Sequence, residues 1–272
     1  MRWGLHRQRA FGRSRTRGRD RKRSTAAVIG AALIVFAAAG AVAQSPHPSA
    51  PPAPILYDVD HLGGYAAQVR WRFVHRDGNR TWVCDSAGSA VFLGGNRFLT
   101  AAHVVDQNPF TDDCAKFGIA ELVVRFGAAE LHGRLVGATR WTDEGGLSYA
   151  GGADLALIEV DARMIPVEVR QAAPLAFCPS DLSPGAAVRV ATQYGVYATT
   201  TAPRVNDEFA RIDLASRHGF SGAGVFDPTR RCLIGILSSG DINGANYVAN
   251  DVTRRFLDKP PPAPGWAGRA VQ

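Results

Sequence analysis

A histidine, an aspartate and a serine stand in three short motifs of this 272-residue chain, and together their side chains could activate a nucleophile. His103 lies in FLTAAHVV, Asp154 begins the apolar run DLALIEV, and Ser221 lies in GFSGAG. A serine hydroxyl is a weak nucleophile at neutral pH. It becomes reactive when an imidazole takes its proton and a carboxylate holds the tautomer of that imidazole. Each motif alone is weak evidence, because glycine turns, packed histidines and turn aspartates are all common.

The order of the three residues narrows the class of hydrolase. An α/β-hydrolase needs its histidine after the serine, and no histidine follows His218. The GxSxG signature of that class also fails, since Ala223 occupies its last position. The subtilisin order Asp…His…Ser could recruit Asp77 or Asp85, but a strand-rich sequence does not suit that parallel α/β fold.

Short apolar or alternating runs, bounded by turn residues, predict β-strands through the body of the chain. They lie at 66–74, 89–94, 122–127, 155–160, 187–195, 210–214, 222–227 and 232–238. The sequence favours one helix, at 250–258, with Asn250 as its N-cap. Many strands, few helices, 29 glycines and 16 prolines favour an antiparallel sandwich or barrel.

The three motifs resemble those of the chymotrypsin/trypsin-like serine peptidase family, over residues 65–258. The segment 100–103 resembles the family's TAAH motif, 154–157 its D-[IL]-A-L motif, and 219–222 its GxSG motif. The segment LIGILSSG (233–240) resembles the strand that follows the nucleophile and lines the substrate site. The resemblance implies an all-β fold of two antiparallel six-stranded β-barrels, with the site in the cleft between them.

The resemblance also implies a role for each motif residue. Ser221 would attack a carbonyl carbon, His103 would be the general base and then the general acid, and Asp154 would orient the imidazole. The N–H groups of Gly219 and Ser221 would form the oxyanion hole. The implied activity is that of a serine endopeptidase with an acyl-enzyme intermediate, no cofactor, and a protein or peptide as substrate. The sequence itself has no metal-ligand spacing, no HExxH motif and no P-loop.

By the same resemblance, the substrate pocket carries no fixed charge. Its expected residues are Ala215, Ser216, His218, Ser238, Gly240 and Ala245. Ala215 lies six residues before the nucleophile, where trypsin-type enzymes place aspartate, so we expect a small or apolar P1 residue rather than a cationic one. His218 is either a substrate contact at the rim or an exposed loop histidine. Ser238 resembles the serine that supports the carboxylate, or it is an ordinary residue at a strand end.

Phe220 departs from the animal digestive enzymes, which carry aspartate at this position. That aspartate pairs with a new N-terminus created by zymogen cleavage, and phenylalanine cannot make the pair. The chain also has no IVGG-like start after a cleavable basic residue. The site is therefore either built from the start or ordered by a substrate or partner. The departure leaves open an alternative function, a catalytically inactive peptide-binding protein on the same fold.

The N-terminal region differs sharply from the body in charge and hydropathy. Residues 1–23 hold nine arginines and one lysine against one aspartate, and the remainder of the chain has a net charge of −2 although the whole chain has +7. The positive charge is thus confined to the N-terminal tail. A body with a net negative charge does not suit a nucleic-acid binder. The Arg-rich region 1–25 precedes an uncharged segment, 26–43, that is about long enough to span a bilayer.

This segment predicts either a signal peptide cleaved after AVA or an uncleaved anchor in the inner membrane. Both alternatives place the body outside the cytoplasm, as a periplasmic or secreted protein or as an anchored one. A Pro-rich linker at 44–54 follows, and a Pro-rich tail at 259–272 ends the chain. Between them we expect the N-terminal barrel at 55–168, with the histidine and aspartate, and the C-terminal barrel at 169–258, with the serine.

The four cysteines form an even set without a CxxC pair. This pattern favours two disulfides in an oxidising compartment over a zinc ribbon, and the alternative is four buried free thiols. Of the three connectivities, we expect Cys84–Cys114 and Cys178–Cys232, because each pair then lies within one half of the body.

Overall fold

Strands dominate the part of the chain that the structure describes. The computed structural model describes residues 59–77, 80–105, 119–139, 141–142, 148–149, 153–167 and 175–263. The apolar segment predicted at 26–43 and the linker predicted at 44–54 lie outside these residues. Among the helices that are described, none is both long enough and apolar enough to cross a bilayer.

The first barrel closes six antiparallel strands. Its first five strands are β1 (Ala66–Asp77), β2 (Arg80–Gly94), β3 (Arg97–Thr100), β4 (Ile119–Phe126) and β5 (Ala129–Ala138). A separate two-stranded sheet of β6 (Trp141–Thr142) and β7 (Ser148–Tyr149) follows, and β8 (Ala156–Val160) completes the barrel. The strands close in the order β1-β2-β3-β8-β5-β4. A helical turn, α1 (Ala102–Val105), follows β3, and a 3₁₀ helix, Val59–Tyr65, precedes β1.

The second barrel repeats the architecture with the last six strands. They are β9 (Ala187–Thr192), β10 (Gly195–Ala202), β11 (Phe209–Ile212), β12 (Gly224–Asp227), β13 (Cys232–Asp241) and β14 (Gly244–Val248). They close in the order β10-β11-β14-β13-β12-β9. The terminal helix α2 (Asn250–Asp258) follows β14. The prediction of an all-β fold with two antiparallel six-stranded barrels is confirmed.

Apolar alternation explains how each barrel fills its interior. In β9 the side chains of Val188 and Val190 point inward and are buried, while Ala187 and Arg189 between them are exposed. In the first barrel, the rings of Phe92, Phe98 and Phe126 lie 5.1 to 5.3 Å apart. β13 is buried over its first seven residues and exposed over its last three. Its exposed end therefore borders the solvent, where a site can form.

Two local predictions have different outcomes. The disulfide Cys178–Cys232 is confirmed, and it ties the segment before β9 to the start of β13. The side chain of Cys84 and the whole of Cys114 lie outside the described residues, so that pairing stays a prediction. The prediction that Asn250 caps α2 is wrong, because the cap is Ala249 and makes no side-chain hydrogen bond. The Asn250 amide instead donates to the Cys178 carbonyl at 2.6 Å, which pins the start of α2 to the disulfide.

Removing the disulfide by Cys178→Ala with Cys232→Ala should lower the free energy of unfolding by about 4 kcal/mol in the chain-entropy account. The bond closes a sequence separation of 54 residues, so its loss frees a long loop in the unfolded chain. Urea unfolding followed by tryptophan fluorescence measures the effect. An unchanged midpoint at unchanged slope would contradict it.

Candidate active site

His103 and Asp154 are brought together by the pairing of two strands of the first barrel. His103 lies in α1, just after β3, and Asp154 lies just before β8. These strands pair antiparallel with Thr100 opposite Ala156, so two residues 51 positions apart meet at one end of the barrel. His103 Nδ1 lies 2.6 Å from Asp154 Oδ2, and the His103 backbone N–H donates to Oδ1 at 2.9 Å.

The Asp154 carboxylate is buried, with 3% of the residue exposed, and it accepts a third hydrogen bond from Ser238 Oγ at 2.6 Å. Burial alone raises the pKa of Asp154, but the charge and hydrogen bonds of His103 and the hydrogen bond of Ser238 together hold it below its usual value. Burial lowers the pKa of His103, but the charge and hydrogen bond of Asp154 outweigh burial and raise it above its ordinary value. The anionic carboxylate therefore keeps a proton on Nδ1, which leaves Nε2 as the basic nitrogen.

Ser221 lies in the turn between β11 and β12. Residues 217–222 are called the nucleophile turn below. The turn closes where the Phe220 N–H donates to the Arg217 carbonyl at 3.0 Å, with Gly219 at φ +86°. These features define a type II turn. A Cβ at Gly222 would overlap the Ser89 carbonyl oxygen and Thr100 Oγ1, so only glycine lets the turn approach the first barrel so closely.

Backbone hydrogen bonds hold three consecutive peptides of the nucleophile turn, from Gly219 to Gly222. The Ser221 carbonyl accepts from the Ser89 N–H at 2.7 Å, and the Gly222 N–H donates to the Leu237 carbonyl at 2.7 Å. Within the described residues, the N–H groups of Gly219 and Ser221 donate to no acceptor. The structure thus presents two free donors on a turn whose other peptides are held, which is the arrangement that an oxyanion hole needs.

Ser238 joins the aspartate to the serine. Its hydroxyl donates to Asp154, and its backbone carbonyl accepts a hydrogen bond from Ser221 Oγ at 3.1 Å. Because Ser238 lies in β13 of the second barrel and Asp154 belongs to the first, this residue spans the junction of the two barrels. Ser238 therefore links Ser221 to Asp154, the residue that His103 contacts.

The residues predicted to form the substrate pocket separate into two groups. Ser216, Gly240 and Ala245 come together: the Ser216 N–H donates to the Asp241 carbonyl at 2.9 Å, and a Cβ on Gly240 would lie 2.7 Å from both Ser216 Cβ and Ala245 Cα. Ala215 and His218 are exposed. The two walls of the pocket are therefore in direct contact at Ser216 and Gly240.

Two polar residues that contact the nucleophile turn were not predicted from the sequence. Ser89 Oγ donates to the Gly219 carbonyl at 2.7 Å, and Gln193 Nε2 donates to the same oxygen at 3.1 Å. These residues lie 130 and 26 positions from Gly219. The only sequence feature that pointed to Ser89 is its place as a polar residue at the start of an apolar strand. No sequence feature pointed to Gln193, which lies in a hairpin turn.

One group of potential metal ligands occurs among the described residues, formed by Cys178, Asp227 and Cys232. The two sulfurs are joined as a disulfide, so neither is a thiolate that can bind a metal. This group is part of the structural core and not of the site.

Two six-stranded barrels that meet at a His–Asp pair and a serine turn define the class of the trypsin-like serine peptidases. The sequence profile of the trypsin-like peptidase domain matches residues 88–236, which is more than half of the chain. The chain belongs to this family and is a serine-type endopeptidase. No curated protein sequence matches it significantly.

Solved structures share the fold at low sequence identity. Rv3671c from M. tuberculosis H37Rv, in a mutant crystallised in its inactive form, is 16% identical with a TM-score of 0.51, over 84% of this chain and 98% of that one. The serine endoprotease from Yersinia pestis is 17% identical with a TM-score of 0.50, over 76% of this chain and 67% of that one.

Proposed function

We propose that this endopeptidase hydrolyses peptide bonds through His103, Asp154 and Ser221, by way of an acyl-enzyme intermediate. The observation that carries the proposal is the double contact of Ser238, which bonds the Asp154 carboxylate through its hydroxyl and Ser221 Oγ through its carbonyl. The two hydrogen bonds between His103 and Asp154 support it, since they fix the tautomer that a general base requires.

In the proposed reaction, Ser221 Oγ attacks the carbonyl carbon of the scissile bond, and its proton passes to His103 Nε2. The carbonyl oxygen becomes an oxyanion, which accepts from the N–H groups of Gly219 and Ser221. His103 then gives its proton to the departing amine, and an ester to Ser221 remains. Water attacks this ester with His103 again as the base, which releases the acid and restores the hydroxyl.

Labelling with a fluorophosphonate probe tests the proposal. The full-length protein is treated with the probe, and peptide mass spectrometry locates the adduct. We expect an adduct on Ser221 that is absent in Ser221→Ala and retained in the matched control Ser239→Ala. Folded, disulfide-bonded protein without an adduct would refute the proposal and favour a peptide-binding protein on this fold.

The pH dependence of kcat/KM should show an acidic limb with its midpoint above pH 6.5. Neutral His103 is the form that accepts the serine proton; burial lowers the pKa of His103, but the charge and hydrogen bond of Asp154 outweigh burial and raise it above its ordinary value. By the same linkage, the stability that the raised pKa of His103 contributes is complete below pH 6.5 and is lost as the pH rises through the folded-state pKa. Initial rates at constant ionic strength measure the limb. A midpoint at or below pH 6.5 would contradict the expected shift.

The preferred P1 residue should be alanine or glycine, because Ser216 Cβ packs closely against Gly240 and narrows the predicted pocket. Tripeptide thioesters that differ only at P1 should show kcat/KM about 100-fold higher for alanine than for phenylalanine or lysine. Ser216→Gly removes the one side chain in this contact and should reduce this ratio. Faster turnover of the phenylalanine or lysine thioester by the unmodified protein would contradict the prediction.

We also propose that residues 26–43 direct the body out of the cytoplasm. The disulfide Cys178–Cys232 supports this, since stable disulfides form in oxidising compartments. Mass spectrometry of the protein recovered from cells tests it: a start at Gln44 indicates a cleaved signal peptide, and an intact N-terminus in the membrane fraction indicates an anchor. Full-length protein in the cytoplasm would refute export.

A further inference from the structure

We propose that Ser89 and Gln193 are positioning residues that hold the nucleophile turn in its oxyanion-binding form, and that they do so without any charged group. The inference rests on the proposed function of Gly219 and Ser221 as oxyanion donors. In the animal digestive enzymes, an aspartate at the position equivalent to 220 pairs with a new N-terminus. Here position 220 is phenylalanine, and we assign the support of the turn to two uncharged side chains.

Ser89 is fully buried, and its polar groups are all engaged at the junction of the barrels. Its hydroxyl accepts from the Gln193 N–H at 3.0 Å and donates to the Gly219 carbonyl at 2.7 Å. Its N–H donates to the Ser221 carbonyl, and its own carbonyl accepts from Thr100 Oγ1 at 2.7 Å. Because the hydroxyl already accepts from Gln193, its proton is directed at Gly219.

Gln193 approaches the same carbonyl from the second barrel. It lies in the turn between β9 and β10, and its Nε2 donates to the Gly219 oxygen at 3.1 Å. The Gly219 carbonyl therefore accepts two hydrogen bonds, one from each barrel, which uses both of its lone pairs. The peptide between Gly219 and Phe220 is held from both sides and cannot rotate without losing both bonds.

The restraint acts on the peptide that follows the central peptide of the type II turn, which joins His218 to Gly219 and has a near alternative orientation. Rotating this central peptide by about 180° gives a type I turn, which needs a negative φ at Gly219 and points the Gly219 N–H in the opposite direction. The held peptides on either side of the two free N–H groups favour the form in which both donors converge. Loss of the Ser89 hydroxyl would release the Gly219 carbonyl from the first barrel, so the Gly219 N–H would no longer be held in a fixed place beside the Ser221 N–H.

Phe220 completes the turn's support through apolar packing. Its ring is buried and lies 5.1 Å from the ring of Tyr197 and 6.2 Å from that of Tyr194. Apolar burial requires no free amine, so the turn is held independently of any new N-terminus. On this inference the site is built from the start, which is one of the two alternatives that the sequence left open.

The test compares Ser89→Ala with a matched control, Thr253→Val. Thr253 is equally buried, and its hydroxyl donates to the Val248 and Ala249 carbonyls just before α2, so both variants remove a fully buried, hydrogen-bonded hydroxyl. A second pair, Gln193→Leu and Gln68→Leu, makes the same comparison for the amide. The readouts are kcat and KM for the alanine thioester, affinity for a peptidyl trifluoromethyl ketone, and amide hydrogen exchange of the peptide that covers the nucleophile turn.

For Ser89→Ala we expect kcat to fall about 10- to 100-fold with KM within about 3-fold, since an oxyanion donor acts in the transition state. Affinity for the ketone should fall in parallel with kcat/KM, and exchange in the turn should accelerate. Gln193→Leu should show the same pattern more weakly, and both controls should match the unmodified protein. Unchanged kcat and unchanged exchange in Ser89→Ala would overturn the inference. If the unmodified protein itself shows no fluorophosphonate adduct, the proposed function fails, and the exchange data still decide whether Ser89 and Gln193 hold the turn.

Discussion

Replacing Asp154 with asparagine should lower kcat about 10⁴-fold while the fold persists, a magnitude taken from the corresponding change in the best-studied serine protease triad. The carboxylate accepts from three donors, namely the backbone N–H and Nδ1 of His103 and the Ser238 hydroxyl. An amide NH2 facing His103 Nδ1 would make that nitrogen the acceptor. The imidazole proton would then sit on Nε2, and no base would face Ser221.

Steady-state rates with the alanine thioester measure this loss, and urea unfolding shows that the variant is folded. The matched control is Asp227→Asn, which alters another buried carboxylate, one that accepts from the Thr229 and Arg230 N–H groups far along the chain from His103. We expect the control to lose stability and keep kcat. A loss of kcat in Asp154→Asn no larger than in Asp227→Asn would rule out the assigned role.

Replacing Gly219 with alanine should lower kcat about 10²- to 10³-fold, which corresponds to about 3 kcal/mol of transition-state stabilisation. Gly219 has a φ of +86°, and a Cβ there would lie 2.6 Å from both Gln193 Nε2 and the Tyr194 hydroxyl. Alanine would therefore favour the type I turn and displace the Gln193 amide. Either change turns the Gly219 N–H away from the developing oxyanion.

Gly185→Ala is the matched control for this variant. Gly185 has a similar φ of +84°, and a Cβ there would meet no atom within 4 Å. The control is destabilised only because alanine disfavours the left-handed backbone conformation, by about 1 to 2 kcal/mol, and it should keep the kcat of the unmodified protein. Equal kcat in Gly219→Ala and the unmodified protein would show that the Gly219 N–H is not an oxyanion donor.

Two of the strands that the sequence missed, β10 and β5, share a physical cause. β10 (Gly195–Ala202) is mostly exposed and rich in threonine, so its sequence shows no regular alternation of apolar and polar residues. β5 (Ala129–Ala138) interrupts its apolar residues with charged ones, because its outer face meets solvent. The predicted strand at 222–227 starts two residues later in the structure, because Gly222 belongs to the nucleophile turn. Strands buried on both sides, such as β13, were predicted well because their apolar runs are continuous.

The sequence by itself indicated the residue types of the site and an antiparallel sandwich or barrel, and the resemblance of its motifs pointed to two barrels. Short motifs carry this information, because a catalytic residue and its neighbours must meet local requirements of turn and burial. It could not determine which polar groups support the nucleophile turn. Ser89 and Gln193 meet Gly219 through the closure of two barrels, across separations of 130 and 26 residues. A hydrogen bond depends on distance and direction in space, so only the tertiary structure decided these contacts.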